Sequence, residues 1–183
     1  EPQDDKYYVI SADTARGIGG DFSAFIVVDI TEMPFKVVGK YRDNKVSPLL
    51  YPDFIGKVAK DYNDAYVLLE TNDIGQQVVD ILHQELEYEN IFSCVQEKNK
   101  QYVSPGFGKQ STLGVRTSKA VKRQGCLALK SLIEEQKFLL FDAAEKFLNF
   151  GNSLISVIEQ KIAPELYRLF NKKTFARALK IFT

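Results

Sequence analysis

The chain holds one histidine, His83, and two cysteines, Cys94 and Cys126, among its 183 residues. No Cys/His spacing fits a zinc site. A Ser-His-Asp or Cys-His hydrolase would have to run through His83, which lies in a helical pattern among Asp80, Gln84 and Glu85 and reads as a surface position. The two cysteines lie far apart and fit a reducing cytosol. There is no signal peptide and no apolar run long enough to span a bilayer, so no membrane partner is expected. The formal net charge is zero, so no global attraction to nucleic acid or lipid follows. The chain begins at Glu1 with no Met, and is expected to be an excised piece of something larger.

What is present is an adequate core and two well-placed acids. A hydrophobic content of 45% suits one compact domain. Asp13 ends the run Tyr7-Tyr8-Val9-Ile10-Ser11-Ala12, and Glu70 ends Tyr66-Val67-Leu68-Leu69. Both runs are apolar enough to be buried strands, so both carboxylates emerge where a strand stops. Two acids on neighbouring strand ends offer the oxygen ligands that hard divalent cations take, which is the core of a metal-dependent phosphodiester-cleaving site. The competing reading is that each acid caps the turn after it. Charge is also uneven. From Gln96 to Lys130 there are eight basic residues (Lys98, Lys100, Lys109, Arg116, Lys119, Lys122, Arg123, Lys130) against one acid, Glu97. Such a stretch can face phosphate beside an acidic metal pocket, or be a solvated loop and helix face.

The pattern predicts strands over Tyr7–Thr14, Phe22–Thr31 and Phe35–Arg42, the last two joined by a short turn at Met33-Pro34. Pro48 to Tyr62 carries Phe54, Ile55, Val58 and Ala59 at helical spacing and stops at Asn63-Asp64. A strand at Ala65–Glu70, a helix at Gly75–Glu87 and a strand at Asn90–Val95 follow. Lys98 to Thr117 reads as a long loop, Ser118–Gln136 as a helix, Lys137–Asp142 as a short strand and Ala143–Phe150 as a helical turn or two. From Asn152 to Phe182 the pattern is an amphipathic helix interrupted near Pro164. The order β-β-β-α-β-α-β gives an α/β fold of ribonuclease-H-like arrangement: a mixed sheet with three antiparallel first strands and helices on both faces. In it the first strand is central and the fourth lies parallel beside it, which makes Asp13 and Glu70 neighbours at one sheet edge. Two units are expected, 1–150 as the main domain and 151–183 as a helical tail.

Gly106-Phe107-Gly108-Lys109-Gln110-Ser111 imitates a phosphate-binding P-loop and fails as one. Val103 stands where the first Gly belongs, Gln110 where Ser or Thr must follow the Lys, and no strand leads in. ATP binding by this chain is therefore not expected.

The first-strand motif is Ser11-Ala12-Asp13-Thr14-Ala15-Arg16-Gly17-Ile18-Gly19-Gly20-Asp21-Phe22-Ser23-Ala24. It resembles the nuclease domain of phage large terminases: an acid, a Gly-rich turn, a second acid eight positions on, then an aromatic and small residues. Leu69-Glu70-Thr71-Asn72-Asp73-Ile74-Gly75 looks like that family's Glu-x-Asn-x-x-Gly block, and Gly114-Val115-Arg116-Thr117-Ser118-Lys119 like its basic Arg-Thr-x-Lys stretch. Tyr51-Pro52-Asp53 and Leu86-Glu87-Tyr88-Glu89 are weaker echoes, similar to contractile-tailed phage terminases. The resemblance covers roughly Tyr7 to Asp142.

The resemblance implies a metal-dependent endonuclease that cuts concatemeric viral DNA during genome packaging in the host cell cytoplasm. Asp13 and Glu70 would be catalytic and would bind Mg²⁺ or Mn²⁺ in a two-metal site, with one ion activating water and the other stabilising the leaving 3′ oxygen. Asp21 sits at the family's auxiliary acid; its other reading is a turn residue heading the second strand. The family's third acid follows the strand that here is Lys137–Asp142, in a His-Asp-Asp type motif. This chain has no such motif and no Asp after Asp142, which leaves Asp142 or Glu145 as substitutes. Arg116, Lys119, Lys122 and Arg123 would hold double-stranded DNA by its backbone without reading sequence. Partners implied for the full-length protein are an ATPase motor domain, the portal and the small terminase subunit; with no motor motif, this chain looks like the nuclease half. The alternative is a non-catalytic RNase-H-like DNA-binding or assembly module with an incomplete acidic site. A resolvase or transposase core on the same fold is a third option.

Overall fold

The computed structural model describes residues 1–97, 100–104 and 111–139. Asp142, Glu145, most of the P-loop-like stretch, the turns expected over 143–150 and the tail expected over 151–183 lie outside the described residues.

Three strands open the fold: β1 (Tyr8–Asp13), β2 (Ser23–Asp29) and β3 (Phe35–Asp43). They pair as an antiparallel meander, Tyr8 opposite Asp29 and Phe25 opposite Tyr41. The turn at Met33-Pro34 carries a cis peptide bond. Helix α1 (Tyr51–Asp61) starts with Pro52 in its first turn, where a missing N–H costs nothing. It stops at Asn63 and Asp64, whose φ of 56° and 52° are left-handed values that these two residue types tolerate. Strand β4 (Tyr66–Leu69) then runs parallel to β1. Helix α2 (Gly75–Asp80) continues into a π-helical turn at Ile81–Glu85, so the single helix expected over Gly75–Glu87 is a short α-helix with a widened end. The five-stranded sheet closes with β8 (Phe138–Leu139), parallel to β3, giving the order β4-β1-β2-β3-β8.

Two expectations are corrected. The strand expected at Asn90–Val95 does not extend the main sheet as a ladder. Ile91 makes one parallel bridge to Val67, and the strand proper, β5 (Ser93–Glu97), leads a second sheet. The long loop expected from Lys98 to Thr117 contains two short strands, β6 (Lys100–Ser104) and β7 (Ser111–Leu113), which flank β5 antiparallel. Both are short and polar, so neither shows a hydrophobic alternation in the sequence. Helix α3 (Lys119–Glu134) follows, its first turn capped by Ser118, whose hydroxyl accepts the Val121 N–H at 3.2 Å.

The core explains which way the acids face. Tyr8, Ile10 and Ala12 alternate into it from β1, Val67 and Leu69 from β4, Phe25 and Val27 from β2. Tyr51, Ile55 and Ala59, four apart on α1 and each 0% exposed, cover them together with Val78, Val79 and Leu82. Each buried aliphatic side chain there contributes on the order of 1.5–3 kcal/mol. By the same alternation Asp13 and Glu70 belong to the opposite face.

Candidate metal centre

The parallel register sets Ile10 beside Val67 and Ala12 beside Leu69, so the next position brings Asp13 beside Glu70. The ladder continues that far, since Glu70 N–H donates to the Ala12 carbonyl at 3.0 Å. Parallel strands lie about 4.8 Å apart. Two half-buried carboxylates therefore share one face and one end of the sheet.

The turn after Glu70 is tightly built. The Asn72 amide donates to Glu70 Oε1 at 3.0 Å and to the Thr117 carbonyl at 2.8 Å. Thr71 N–H donates to the Val115 carbonyl, and Val115 N–H to the Leu69 carbonyl. Two glycines permit this. A Cβ on Gly75 would lie 1.9 Å from the Glu70 carbonyl oxygen, so only glycine lets α2 start against that strand end. At Gly114, with φ of 74°, a Cβ would lie 2.6 Å from the Leu69 carbonyl oxygen. These contacts are the physical content of the Glu-x-Asn-x-x-Gly block and of the glycine before the basic stretch.

The turn after Asp13 is held mostly by side chains, beside one backbone bond from Gly19 N–H to the Asn44 carbonyl at 2.9 Å. The buried Ser23 hydroxyl accepts the Ala15 N–H at 3.0 Å. The Tyr51 hydroxyl donates to the Asp13 carbonyl oxygen at 3.4 Å. Burial, then the Asp13 charge, push the Tyr51 phenol well above its ordinary range, so it stays a donor. Arg16 clasps Asp73 through two parallel bonds, Nε to Oδ2 at 2.9 Å and Nη2 to Oδ1 at 2.8 Å. That contact raises the Arg16 pKa and lowers the Asp73 carboxyl, each chiefly through the shared hydrogen bonds. It links the turn after β1 to the turn after β4.

The other expected site residues fall as follows. Asp21 is exposed at the head of β2. Among the described residues no three His, Cys, Asp or Glu side chains form a group able to hold a metal, so Asp21 does not complete one with Asp13 and Glu70. Asp142 lies outside the described residues. Arg116, Lys119 and Arg123 are exposed and Lys122 is half-buried. Arg116 follows Val115, which bridges to Glu70, so the basic segment begins beside the second carboxylate. His83 lies in the π turn with Nδ1 3.4 Å from the Tyr88 carbonyl oxygen. Cys94 and Cys126 are both buried, and burial raises the Cys94 thiol.

The donor chemistry of the pair fits a hard cation: two carboxylates at adjacent positions of paired strands, one of them hydrogen-bonded by an amide. The family model of the terminase RNaseH-like domain matches residues 10–159. The chain belongs to the terminase RNaseH-like domain family. Solved structures with a similar fold include the large terminase nuclease from thermophilic phage G20c in several metal-bound forms. With bound magnesium, the match has 18% identity and a TM-score of 0.54, covering 78% of this chain and 61% of that one. With bound cobalt the values are 19%, 0.53, 78% and 61%. With bound zinc they are 20%, 0.51, 81% and 72%. This terminase domain thus spans 61% of the length of the cobalt- and magnesium-bound chains.

Asn72, Tyr51 and Arg16 stand inside the sequence motifs, which assign none of them a role. The signal for Asn72 was its place two residues after Glu70, within reach of the carboxylate. Nothing local linked Arg16 to Asp73, 57 positions away. Among the described residues no helix is long and apolar enough to cross a membrane.

Proposed function

We propose that this chain is the nuclease domain of a phage large terminase, cutting concatemeric double-stranded DNA with Mg²⁺ or Mn²⁺ during genome packaging. The observation that carries the reading is the register of β1 with β4, which brings Asp13 and Glu70 to adjacent positions on the face of the sheet opposite the core. The Asp13 and Glu70 carboxylates would hold the ions, with the Asn72 amide bonded to Glu70 Oε1. When bound, the ions supply a water of lowered pKa and positive charge at the leaving oxygen. Asp142 is the acid assigned to completing the two-metal set, since Asp21 forms no such group with the pair among the described residues. Arg116, Lys119, Lys122 and Arg123 hold the DNA backbone. The nuclease unit is assigned to 1–150, with 151–183 as a separate tail. In the host cytoplasm the full-length protein joins it to an ATPase motor domain and works with the portal and the small terminase subunit.

A second reading, a DNA-binding or assembly module without catalysis, is favoured by one observation: no third acid joins the pair among the described residues. Plasmid cleavage in Mn²⁺ separates the two. Wild type is expected to nick and linearise the plasmid, and Asp13→Asn to lose cleavage while its far-UV spectrum stays native. Cleavage by Asp13→Asn at the wild-type rate puts the site elsewhere. Wild-type Mn²⁺ binding without cleavage selects the second reading.

A further inference from the structure

Arg16 and Asp73 stand at equivalent places in the two turns. Each is the third residue after a carboxylate, Arg16 after Asp13 and Asp73 after Glu70. Past Glu70 N–H the β1–β4 ladder gives way to turns, and the bidentate Arg16–Asp73 contact is the next link across. Backbone ladder and guanidinium–carboxylate clasp together close a ring that runs from Asp13 through Arg16 and Asp73 to Glu70.

We infer that the Arg16–Asp73 clasp is a positioning device that fixes the spacing of Asp13 and Glu70 and so sets the divalent-cation affinity of the site. This rests on the proposed metal-dependent reading. Stability is a poor explanation for the clasp: both side chains are largely exposed, at 66% and 61%, where ion pairs contribute little. Its geometry is the planar fork that fixes orientation as well as distance. The need is physical. Two like-charged carboxylates about one strand spacing apart repel until a cation arrives, and a turn free to splay would let them separate. On the Glu70 side, backbone bonds to Val115 and the Asn72 amide prevent this. On the Asp13 side the turn is pinned away from Glu70, with Gly17 against the Val46 backbone and Gly19 N–H on the Asn44 carbonyl, and Arg16 ties it across to Glu70's turn. Arg16 is thus a positioning residue acting through Asp73.

The test uses the full 183-residue chain and Mn²⁺ alone as the probe, by calorimetric titration, with thermal unfolding in chelator as the folding control. Arg16→Ala and Asp73→Asn are each expected to weaken Mn²⁺ binding about tenfold, as loss of a group that orients a ligand does. The double variant is expected to be no weaker than either single one, because both remove the same contact. Arg16→Lys, which keeps charge but not the fork, is expected to fall between wild type and Arg16→Ala. Unfolding in chelator should barely move. Unchanged or tighter Mn²⁺ binding in Arg16→Ala overturns the inference. So does an additive double variant. DNA affinity gives a further arm: if Asp73→Asn tightens DNA while Arg16→Ala loosens it and neither changes Mn²⁺ binding, Arg16 is a phosphate contact and the positioning role is wrong. Asp13→Asn separates the two levels. If wild type binds Mn²⁺, Asp13→Asn does not, and Arg16→Ala binds like wild type, only the clasp fails. If wild type and Asp13→Asn bind Mn²⁺ alike, the proposed metal site fails and the clasp with it.

Discussion

The turns after Asp13 and Glu70 begin side by side on parallel strands, yet they are built by different means. Glu70's turn is packed backbone against backbone: α2 begins on the Glu70 carbonyl and the segment before α3 is laced to Leu69 and Thr71. Asp13's turn is exposed at its tip, where Ile18 is 83% exposed, and beside its backbone contacts to the segment after β3 at Gly17 and Gly19 it is held by Ser23, Tyr51 and Arg16. One acid is thus placed by the main chain, which mutation reaches only through the glycines that allow it. The other is placed in larger part by side chains, which mutation reaches one at a time, with one main-chain bond of its own from Gly19 N–H to the Asn44 carbonyl.

The largest effect expected from this contrast is at glycine. Gly75→Ala forces a methyl carbon onto the Glu70 carbonyl, and should cost about 3 kcal/mol by overpacking. Gly20→Ala, in the turn after Asp13, meets nothing within 4 Å and should stay within about 0.5 kcal/mol of wild type. Urea unfolding of the pair measures both, and similar losses would erase the distinction between the turns.

Next comes linkage to the ion. At roughly one hundred times Kd, Mg²⁺ should stabilise the wild type by about 2.7 kcal/mol. Glu70→Gln removes a carboxylate without changing shape. It should abolish that gain and cleavage, while melting slightly higher than wild type in chelator because a repulsion is gone. Thermal melts with and without Mg²⁺ decide it, and an undiminished gain in Glu70→Gln would falsify the shared site.

Neutralising Arg116, Lys119, Lys122 and Arg123 should weaken DNA binding about equally on any sequence. Each lost phosphate contact should flatten the slope of log K against log salt by about 0.9. Mn²⁺ binding should survive, since the Glu70 turn is tied to Val115 through its main chain rather than through these side chains. A salt series of DNA affinity reads the slope; an unaltered one makes the basic segment a solvated face.

The smallest effect lies at the far end of β1 and β2, away from both turns. Asp29 is buried, which by itself raises its carboxyl, but the Lys6 ammonium at 2.8 Å and the Thr31 N–H at 3.0 Å hold it below the ordinary carboxylate range. A group lowered on folding stabilises at pH above its unfolded value, and that stabilisation is lost as pH falls through the folded one. Wild type should therefore lose stability on acidification below about pH 4, and Asp29→Asn should lose less. Urea midpoints at pH 7 and pH 3 measure the difference, and equal losses would remove the Lys6–Asp29 pair from the account.

The juxtaposition of Asp13 and Glu70 was legible because strand alternation and a following turn are local signals, and because meander-plus-crossover topology makes the first and fourth strands neighbours. β6 and β7 were not legible: Lys-Gln-Tyr-Val-Ser and Ser-Thr-Leu carry no alternation, and they are strands because β5 offers both its edges. The π turn at Ile81–Glu85 was hidden for a related reason, since the apolar spacing of Val78, Val79 and Leu82 suits a continuous helix equally well. Arg16–Asp73 is a contact between turns distant in sequence, which no periodicity records. Asp142, expected as the third acid, lies outside the described residues.

The alternation of β4 also decides where this chain tolerates changes of length. Extra residues before Tyr66, or at the tip of the turn after Asp13, leave the count from strand start to acid untouched. A single residue gained or lost between Tyr66 and Glu70 reverses which side every later side chain occupies. It would swing the Glu70 carboxylate toward Tyr51, Ile55 and Val79 and turn an apolar neighbour outward. Natural insertions and deletions among related chains should therefore collect in the connections and spare this four-residue strand, and a protein engineer seeking a place for a tag or graft should respect the same odd-even rule.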